Sequence, residues 1–324
     1  MPKVTVLVAV FNAAPFLRRC LDSLLVQTLR DIQVVCIDDA STDDSLHILK
    51  DFAAVDRRVE VVGLSENRGQ AHARNEGLQL AKGDVITMLD ADDWLAPNAL
   101  EKMVEAFDET TDAVLMDLRM VYADREESYP MKPFSRLTGY EAFLRSLTWQ
   151  IHGVYGVRAA IHKQYPYDET CRSYSDDNTT RLHYLNSRFV RCCPGRYYYR
   201  QHAASSTHQV SVRRFDYLRA NESMRRQLLE MGVADSVVGV YENHRWLNLV
   251  DVYMFYHVHG GELSLSDRRY GLQELQRIWA SIDRRALSKG TTTKFGYRPC
   301  RWWWLFRLEE WLYFTLRGLL SRNR

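Results

Sequence analysis

The chain has 324 residues, of which 46% are hydrophobic and 26% charged, with a formal net charge of +2. That length exceeds the needs of one compact core, so a large domain with an appended piece is expected. The near-neutral balance gives no case for a nucleic-acid partner. The six cysteines are scattered and form no C-x-x-C pair, which argues against zinc or thioredoxin-like chemistry and reads as a reduced, cytosolic chain.

The N-terminal residues run directly into an apolar, β-branched stretch at 4–11 with no small-residue cleavage site after it, so no signal peptide is expected. No run of about 18 uncharged apolar residues occurs, so no transmembrane span is expected either. Further strand-like runs fall at 32–37, 59–64, 85–89 and 113–118. Between them lie segments of helical period at 16–26, 45–52, 70–81 and 98–107. In the first, Phe16, Leu17, Cys20, Leu21, Leu24 and Leu25 form one apolar face. Pro97 marks a helix start. Alternating strand and helix predicts an α/β fold, a mostly parallel sheet covered on both faces. Residues 121–207 read as irregular and rich in Tyr, Arg and His, residues 211–288 as helical, and residues 288–293 as a linker.

In such sheets ligands bind beyond the carboxyl ends of the strands. Two acidic clusters stand there: Asp38-Asp39 after the second strand and Asp90-Ala91-Asp92-Asp93 after the fourth. Paired carboxylates on a turn suit a hard divalent cation, Mn²⁺ or Mg²⁺, that bridges protein to a diphosphate. The competing role for Asp93 or for Asn98 is to cap the next helix.

Four motifs in order make the chain resemble the family 2 glycosyltransferases of GT-A fold, of the kind that build bacterial polysaccharides. They are Val10-Phe11-Asn12, then Asp38-Asp39-Ala40-Ser41-Thr42-Asp43, then Asn67-x-Gly69-x-x-x-Ala73-Arg74-Asn75-x-Gly77, then Leu89-Asp90-Ala91-Asp92-Asp93. The resemblance implies that Asp39 contacts the base or ribose, in competition with capping the helix start at 41–45. It implies that Arg74 approaches the diphosphate, in competition with a helix-surface ion pair. Ala9 would contact the base through its backbone, and Phe11, Asn67 and Ala91 would line the nucleotide-sugar site. Asp92 would be the main metal ligand, Asp90 would bind sugar or metal, and Asp93 would support them. The acidic pair and the Tyr-Tyr-Arg-x-His element of the family are matched by Asp176-Asp177 and by Tyr198-Tyr199-Arg200-Gln201-His202, preceded by Tyr167-Asp168-Glu169. Asp177 is then the expected general base and Asp176, where the family usually has Glu, its support. Arg200 joins the donor site, and His202 either completes the metal shell or is simply packed, as His152, His162 and His183 are expected to be.

Between Lys294 and Arg324 the sequence carries seven Lys or Arg and two Glu, a net of +5. Trp304, Leu305, Leu308, Trp311, Leu312, Leu316 and Leu319 fall on one helical face, with Arg307, Glu310 and Arg317 on the other. That pattern suits an anionic membrane surface, in competition with packing on its own domain or on a homodimer partner. The organisation expected is a GT-A domain over 1–210 (nucleotide half to about 120, acceptor half beyond), a helical extension over 211–290 and an amphipathic tail over 291–324. The activity implied by the resemblance is inverting transfer from a nucleoside-diphosphate sugar, with UDP favoured, to a glycan or lipid-linked hydroxyl at the cytoplasmic face of the membrane. Two other readings are a nucleotidyltransferase acting on sugar phosphates, against which the Asn12-Ala13-Ala14-Pro15 loop lacks a Gly-rich phosphate cradle, and a silent sugar-nucleotide-binding scaffold.

Overall fold

The computed structural model describes residues 2–171, 173–201 and 210–320. The chain divides into two compact units, Met1–Glu169 with Asp176–Ser205 and Thr170–Ser175 with Ser206–Arg324.

The first unit is built on β1 (Val4–Val10), β2 (Ile32–Asp38), β3 (Val59–Gly63) and β4 (Val85–Met88), parallel in the order β3-β2-β1-β4. Helices α1 (Ala14–Leu25), α2 (Ser45–Val55) and α3 (Gln70–Leu80) connect them. All seven residues of β2 are buried, which is why these strands read as unbroken apolar runs. On α1, Leu17, Cys20, Leu21 and Leu24 are wholly buried, and each leucine contributes about 2 kcal/mol of burial. The β1–β2 register pairs Val4 with Ile32 through Val10 with Asp38, so the two strands end flush and their following loops meet. Pro15 stands in the first turn of α1. Pro97 does not start a helix: α4 (Ala99–Glu105) begins after Asn98, and the Pro97 carbonyl accepts a hydrogen bond from Thr28 N–H.

The other half of the sheet is mixed. Here β5 (Trp94–Leu95), β6 (Thr111–Val121), β9 (Tyr155–Arg158) and β10 (Phe189–Arg200) extend the order to β4-β9-β6-β10-β5. Strand β9 is antiparallel to both neighbours, whereas β10 is parallel to β6. Short strands β7 (Glu126–Ser128) and β8 (Arg136–Thr138) pair at the margins. Helices α5 (Gly139–Leu147), α6 (Ala159–Gln164) and α7 (Ser175–Leu185) complete the unit. The stretch that reads as irregular in sequence therefore holds four strands of the sheet, β7 to β10. Pro194-Gly195 breaks the pattern of β10, and its register on β6 shifts between Cys192 and Arg196. Glycine is needed there, because a Cβ on Gly195 would stand 2.5 Å from the Ala99 carbonyl oxygen of α4.

The second unit is helical: α8 (Asp216–Glu230), α9 (Asp235–His259), α10 (Leu265–Ser281), α11 (Lys289–Thr293) and α12 (Trp303–Leu319). Its core gathers Phe215, Leu218, Trp246, Leu249, Leu275 and Ile278 with Phe306 and Phe314 of α12. Two expectations are corrected here. Residues 288–293 form a capped turn rather than a linker, because Ser288 Oγ accepts from Thr291 N–H and Thr291 Oγ1 donates to Asn243. The tail is not a separate piece: Phe306 and Phe314 are buried and Trp246 Nε1 donates to the Tyr297 carbonyl at 2.7 Å. The side of α12 expected to be polar is the side that packs, because those two phenylalanines share it. Glu310 is carried inward with them, while Trp304, Leu308, Trp311, Leu312, Leu316 and Leu319 stay exposed. Among the described residues no helix is long and apolar enough to cross a membrane.

Neither carboxyl oxygen of Glu310 has a hydrogen-bond partner, and burial beside Glu309 pushes the group up to about 9. A raised acid binds its proton more tightly in the folded state, so its stability contribution is complete below the ordinary carboxyl range and is lost as pH rises through about 9. Glu310→Gln should remove that dependence. Thermal melts should show the substituted protein gaining roughly 3 °C or more on the native one between about pH 5 and about pH 9. Parallel melting curves would show that the carboxyl is not buried.

Candidate active site

The site begins at the ends of β1 and β2. Asn12 turns through the left-handed region (φ 51°), and its Oδ1 accepts from Thr42 N–H at 2.8 Å while its own N–H donates to Ser41 Oγ at 3.0 Å. Ala40 is also left-handed (φ 57°), a conformation that costs a non-glycine residue roughly 1–2 kcal/mol and marks this loop as constrained. Phe11 is half exposed beside it, and Ala9 faces Ile37 across the strand pair. Asp39 is buried, and it does not cap the helix start at 41–45. Asp43 takes that place by accepting from Ser45 N–H, and its other oxygen accepts from Ala14 N–H at the head of α1. The Asp39 carboxylate instead accepts from Arg68 N–H at 2.9 Å, Gly69 N–H at 2.8 Å and Asn67 Nδ2 at 2.9 Å. It clamps the turn that opens α3, where Gly69 (φ 97°, ψ 163°) adopts a backbone open only to glycine.

From α3 comes Arg74, whose side chain is only 2% exposed, so it is not a surface ion pair. Its Nη2 donates to Asp90 Oδ1 at 2.6 Å, and Gln70 Nε2 donates to the same oxygen at 3.1 Å. The guanidinium lies 5.3 Å from the centre of the Tyr167 ring, and Nη1 stands 4.0 Å from Asp176 Oδ2. Neither Nε nor Nη1 has a hydrogen-bond partner, so this buried cation keeps donors to spare. Carboxylates hold its pKa above the usual arginine value despite burial.

The acidic turn after β4 is fixed from below by β10. Tyr197 O–H donates to Asp93 Oδ2 at 2.7 Å and accepts from Asp90 N–H at 3.1 Å. Arg200 N–H donates to Asp93 Oδ1 at 2.8 Å, and Arg200 Nε donates to the Asp92 carbonyl at 2.9 Å. The Arg200 guanidinium lies over the rings of Phe16 and Trp94. Burial, together with Asp90 and Asp92, pushes Asp93 up to about 9. Neither Asp93 nor Asn98 caps α4 by its side chain. Asp93 is instead the brace of the turn, and Ala91 turns its methyl into the core. Asp90 and Asp92 are both half-buried, and Asp90 is raised by burial and by Asp92 and Asp176 against the pull of Arg74.

Among the described residues no three His, Cys, Asp or Glu side chains converge as a ready-made metal cage. One or two carboxylates crowded by like charge are nonetheless the donor set that Mn²⁺ or Mg²⁺ accepts when phosphate oxygens and water supply the rest. His202 lies outside the described residues. The buried His152 and His183 are pushed down to about 4 by burial, and His162 well below its ordinary value, so all three are neutral packing groups.

Helix α7 brings the second acidic pair. Asp176 is exposed towards Arg74, whereas Asp177 is nearly buried, with its Oδ2 3.8 Å from Arg181. Burial, offset by Arg181 and reinforced by Asp176, pushes Asp177 up to about 7. The start of α7 is tied back to the motif around Arg74. Asn178 Nδ2 donates to Asp168, while Asn75 exchanges hydrogen bonds with the Tyr167 backbone and donates to Glu169 at 2.7 Å. Tyr197 is the site residue that motif reading passed over, and Asn75, named only as part of its motif, ties α3 to the segment before α7. The signal available for Tyr197 was its place in a run of three tyrosines next to Arg200.

The chain belongs to glycosyl transferase family 2, whose model matches residues 5–166, half of the chain. EpsH of Bacillus subtilis, named as a glycosyltransferase, is 31% identical over 163 residues, which is 46% of this chain and 46% of EpsH. The match thus spans under half the length of that relative. Among solved structures, S. aureus TarS (residues 1–349) in complex with UDP-GlcNAc aligns at a TM-score of 0.73 and 17% identity, covering 99% of this chain and 92% of that one. The mannosyltransferase PcManGT from Pyrobaculum calidifontis, in complex with GDP-Man and Mn²⁺, aligns at 0.54 and 19% identity, covering 99% and 88%. These likenesses establish the GT-A fold, a mostly parallel sheet flanked by helices with a helical C-terminal region.

The ion pair between Arg74 and Asp90 generates a direct test. A double-mutant cycle of Arg74→Ala and Asp90→Ala, followed by denaturant unfolding, should give a coupling of about 1–3 kcal/mol. Additive single effects would mean that the pair does not hold the turn.

Proposed function

We propose that the chain is an inverting glycosyltransferase that moves a sugar from a nucleoside diphosphate to a hydroxyl of a glycan or lipid-linked acceptor. One observation carries the reading: the buried Arg74 reaches the acidic turn at Asp90 on one side and the Asp176-Asp177 helix on the other. A cation for phosphate, carboxylates for a metal and a carboxyl tuned near neutrality thereby meet at the carboxyl end of the sheet. Family membership supports transfer as the reaction. UDP is the favoured base, supported by the UDP-GlcNAc complex of the fold neighbour TarS.

The donor would lie across the ends of β1, β2 and β4, against Ala9, Phe11, Asp39, Asn67 and Ala91, with its diphosphate towards Arg74 and Arg200. Asp92, with Asp90, would hold Mn²⁺ or Mg²⁺, which when bound offsets the charge of the leaving diphosphate. The presence of Mn²⁺ with GDP-Man in the complex of the fold neighbour PcManGT supports this. Asp177 accepts the proton of the acceptor hydroxyl as its oxygen bonds to the anomeric carbon. The bond from that carbon to the diphosphate breaks on the opposite face, so the configuration inverts. Burial raises Asp177 towards neutrality, with Arg181 opposing and Asp176 adding to it. Six unpaired cysteines support a reducing compartment, the cytoplasm, as the place of reaction.

A base at about 7 is half protonated at neutral pH. Transfer measured as kcat/KM should therefore rise with pH through about 7 and level off above it. Asp177→Asn should lower transfer by at least about two orders of magnitude while leaving donor affinity within a few-fold of normal. Transfer by the Asn variant at an ordinary rate, with the same pH profile, would remove Asp177 from the reaction.

A further inference from the structure

The outer face of α12 is not used by anything described so far. Trp304, Leu308, Trp311, Leu312, Leu316 and Leu319 recur at three- and four-residue steps and form one stripe along the helix. Trp304 is 63% exposed and Trp311 52%, and Trp302, also exposed, stacks on Trp304 at the head of the stripe. The opposite side is occupied by Phe306 and Phe314 in the core of the helical unit. The helix is thus anchored by one face and leaves a second apolar face to water, which costs stability unless something covers it.

The charges beside the stripe identify what covers it. Arg301 lies over the Trp302 ring, and Arg307 is exposed one turn further on. At the far end, a groove of about 530 Å³ is lined by Lys294, Tyr297, Tyr313, Leu316, Arg317 and Leu320. Lys294 Nζ stands 3.9 Å from the centre of the Tyr297 ring, and Arg317 lies over Tyr313. Two cations over aromatic rings beside exposed leucines suit a phosphate with an apolar chain attached. Of the two acids on this helix, Glu310 is buried, and Glu309 is taken by Arg298 Nε at 3.0 Å and by Gly296 N–H. A symmetric contact between two copies would set this positive patch against itself. An anionic bilayer surface complements it, with tryptophans at the headgroup level and leucines below.

We propose that the outer face of α12 docks in the interface of a lipid bilayer bearing anionic headgroups, with Arg301, Arg307 and the Lys294–Arg317 groove on the phosphates. The helix lies in the plane of the membrane and does not cross it. The proposal stands apart from the transfer reaction, since none of these residues belongs to the site above.

Full-length protein is sedimented with phosphatidylcholine vesicles, with and without phosphatidylglycerol. It should pellet with the anionic vesicles, weaken with added salt and keep a salt-resistant remainder from the apolar stripe. Trp304→Ser with Trp311→Ser should reduce binding at least about tenfold. Arg301→Glu or Arg307→Glu should each weaken it about fivefold on anionic vesicles only. Melting temperature should be unchanged in the tryptophan and Arg301 variants, whose side chains are exposed, and donor hydrolysis should be unchanged in all of them, because none belongs to the site. Two results would overturn the proposal: protein that ignores vesicles of either composition, or a dimer in sedimentation velocity that the tryptophan substitutions dissociate, which would assign the face to a second copy.

Discussion

The structure of the site depends on one buried ion pair, Arg74 with Asp90. A guanidinium taken out of water is costly unless a carboxylate meets it at hydrogen-bond distance, and the 2.6 Å contact does so. Because Arg74 belongs to α3 and Asp90 to the turn after β4, the pair ties the helix that follows the Asp39 clamp to the acidic turn. The same guanidinium stands 4.0 Å from Asp176, so α7 is held to that point as well.

A second constraint supports the first from beneath. Placing β10 beside β5 puts Tyr197 opposite Leu95, and its hydroxyl bridges Asp93 and the Asp90 amide. The turn cannot tilt without breaking that bridge or the two bonds from Arg200. This explains the burial of Asp93, a third carboxylate in a cluster already crowded with negative charge: it holds the turn rather than a ligand. The insertion of the antiparallel β9 between β4 and β6 sets the spacing that lets β10 arrive there.

Much of this was legible in the sequence, for physical reasons. Strands buried on both faces announce themselves as apolar runs, and the residues at their ends must be small, acidic or left-handed, so the motif residues from Asn12 to Asp93 stand out. Less was legible where one residue answers two needs. Asp39 reads as a contact for the base or ribose, or else as a cap for the helix near it in sequence, but its carboxylate also satisfies three donors from the Asn67-Gly69 turn, a demand that only the fold reveals. Strand β10 is hidden by Pro194-Gly195, which serves the close passage of α4. The sidedness of α12 was hidden because both of its faces carry large apolar groups. Hydrophobic pattern alone does not tell which face the core takes, and a glutamate at the position of Glu310 points the wrong way.

The central claim is that the Asp90–Asp92 turn, held by Arg74, receives a metal and a nucleoside diphosphate together. Calorimetric titration of UDP into the protein, with Mn²⁺ and again with the metal chelated, tests it most directly. The account predicts that Mn²⁺ tightens UDP binding by about tenfold or more, a gain of about 1.4 kcal/mol, and that Asp92→Ala abolishes the gain without unfolding the protein. Equal affinity for UDP with and without metal, or an undiminished gain in the Asp92→Ala protein, would contradict it.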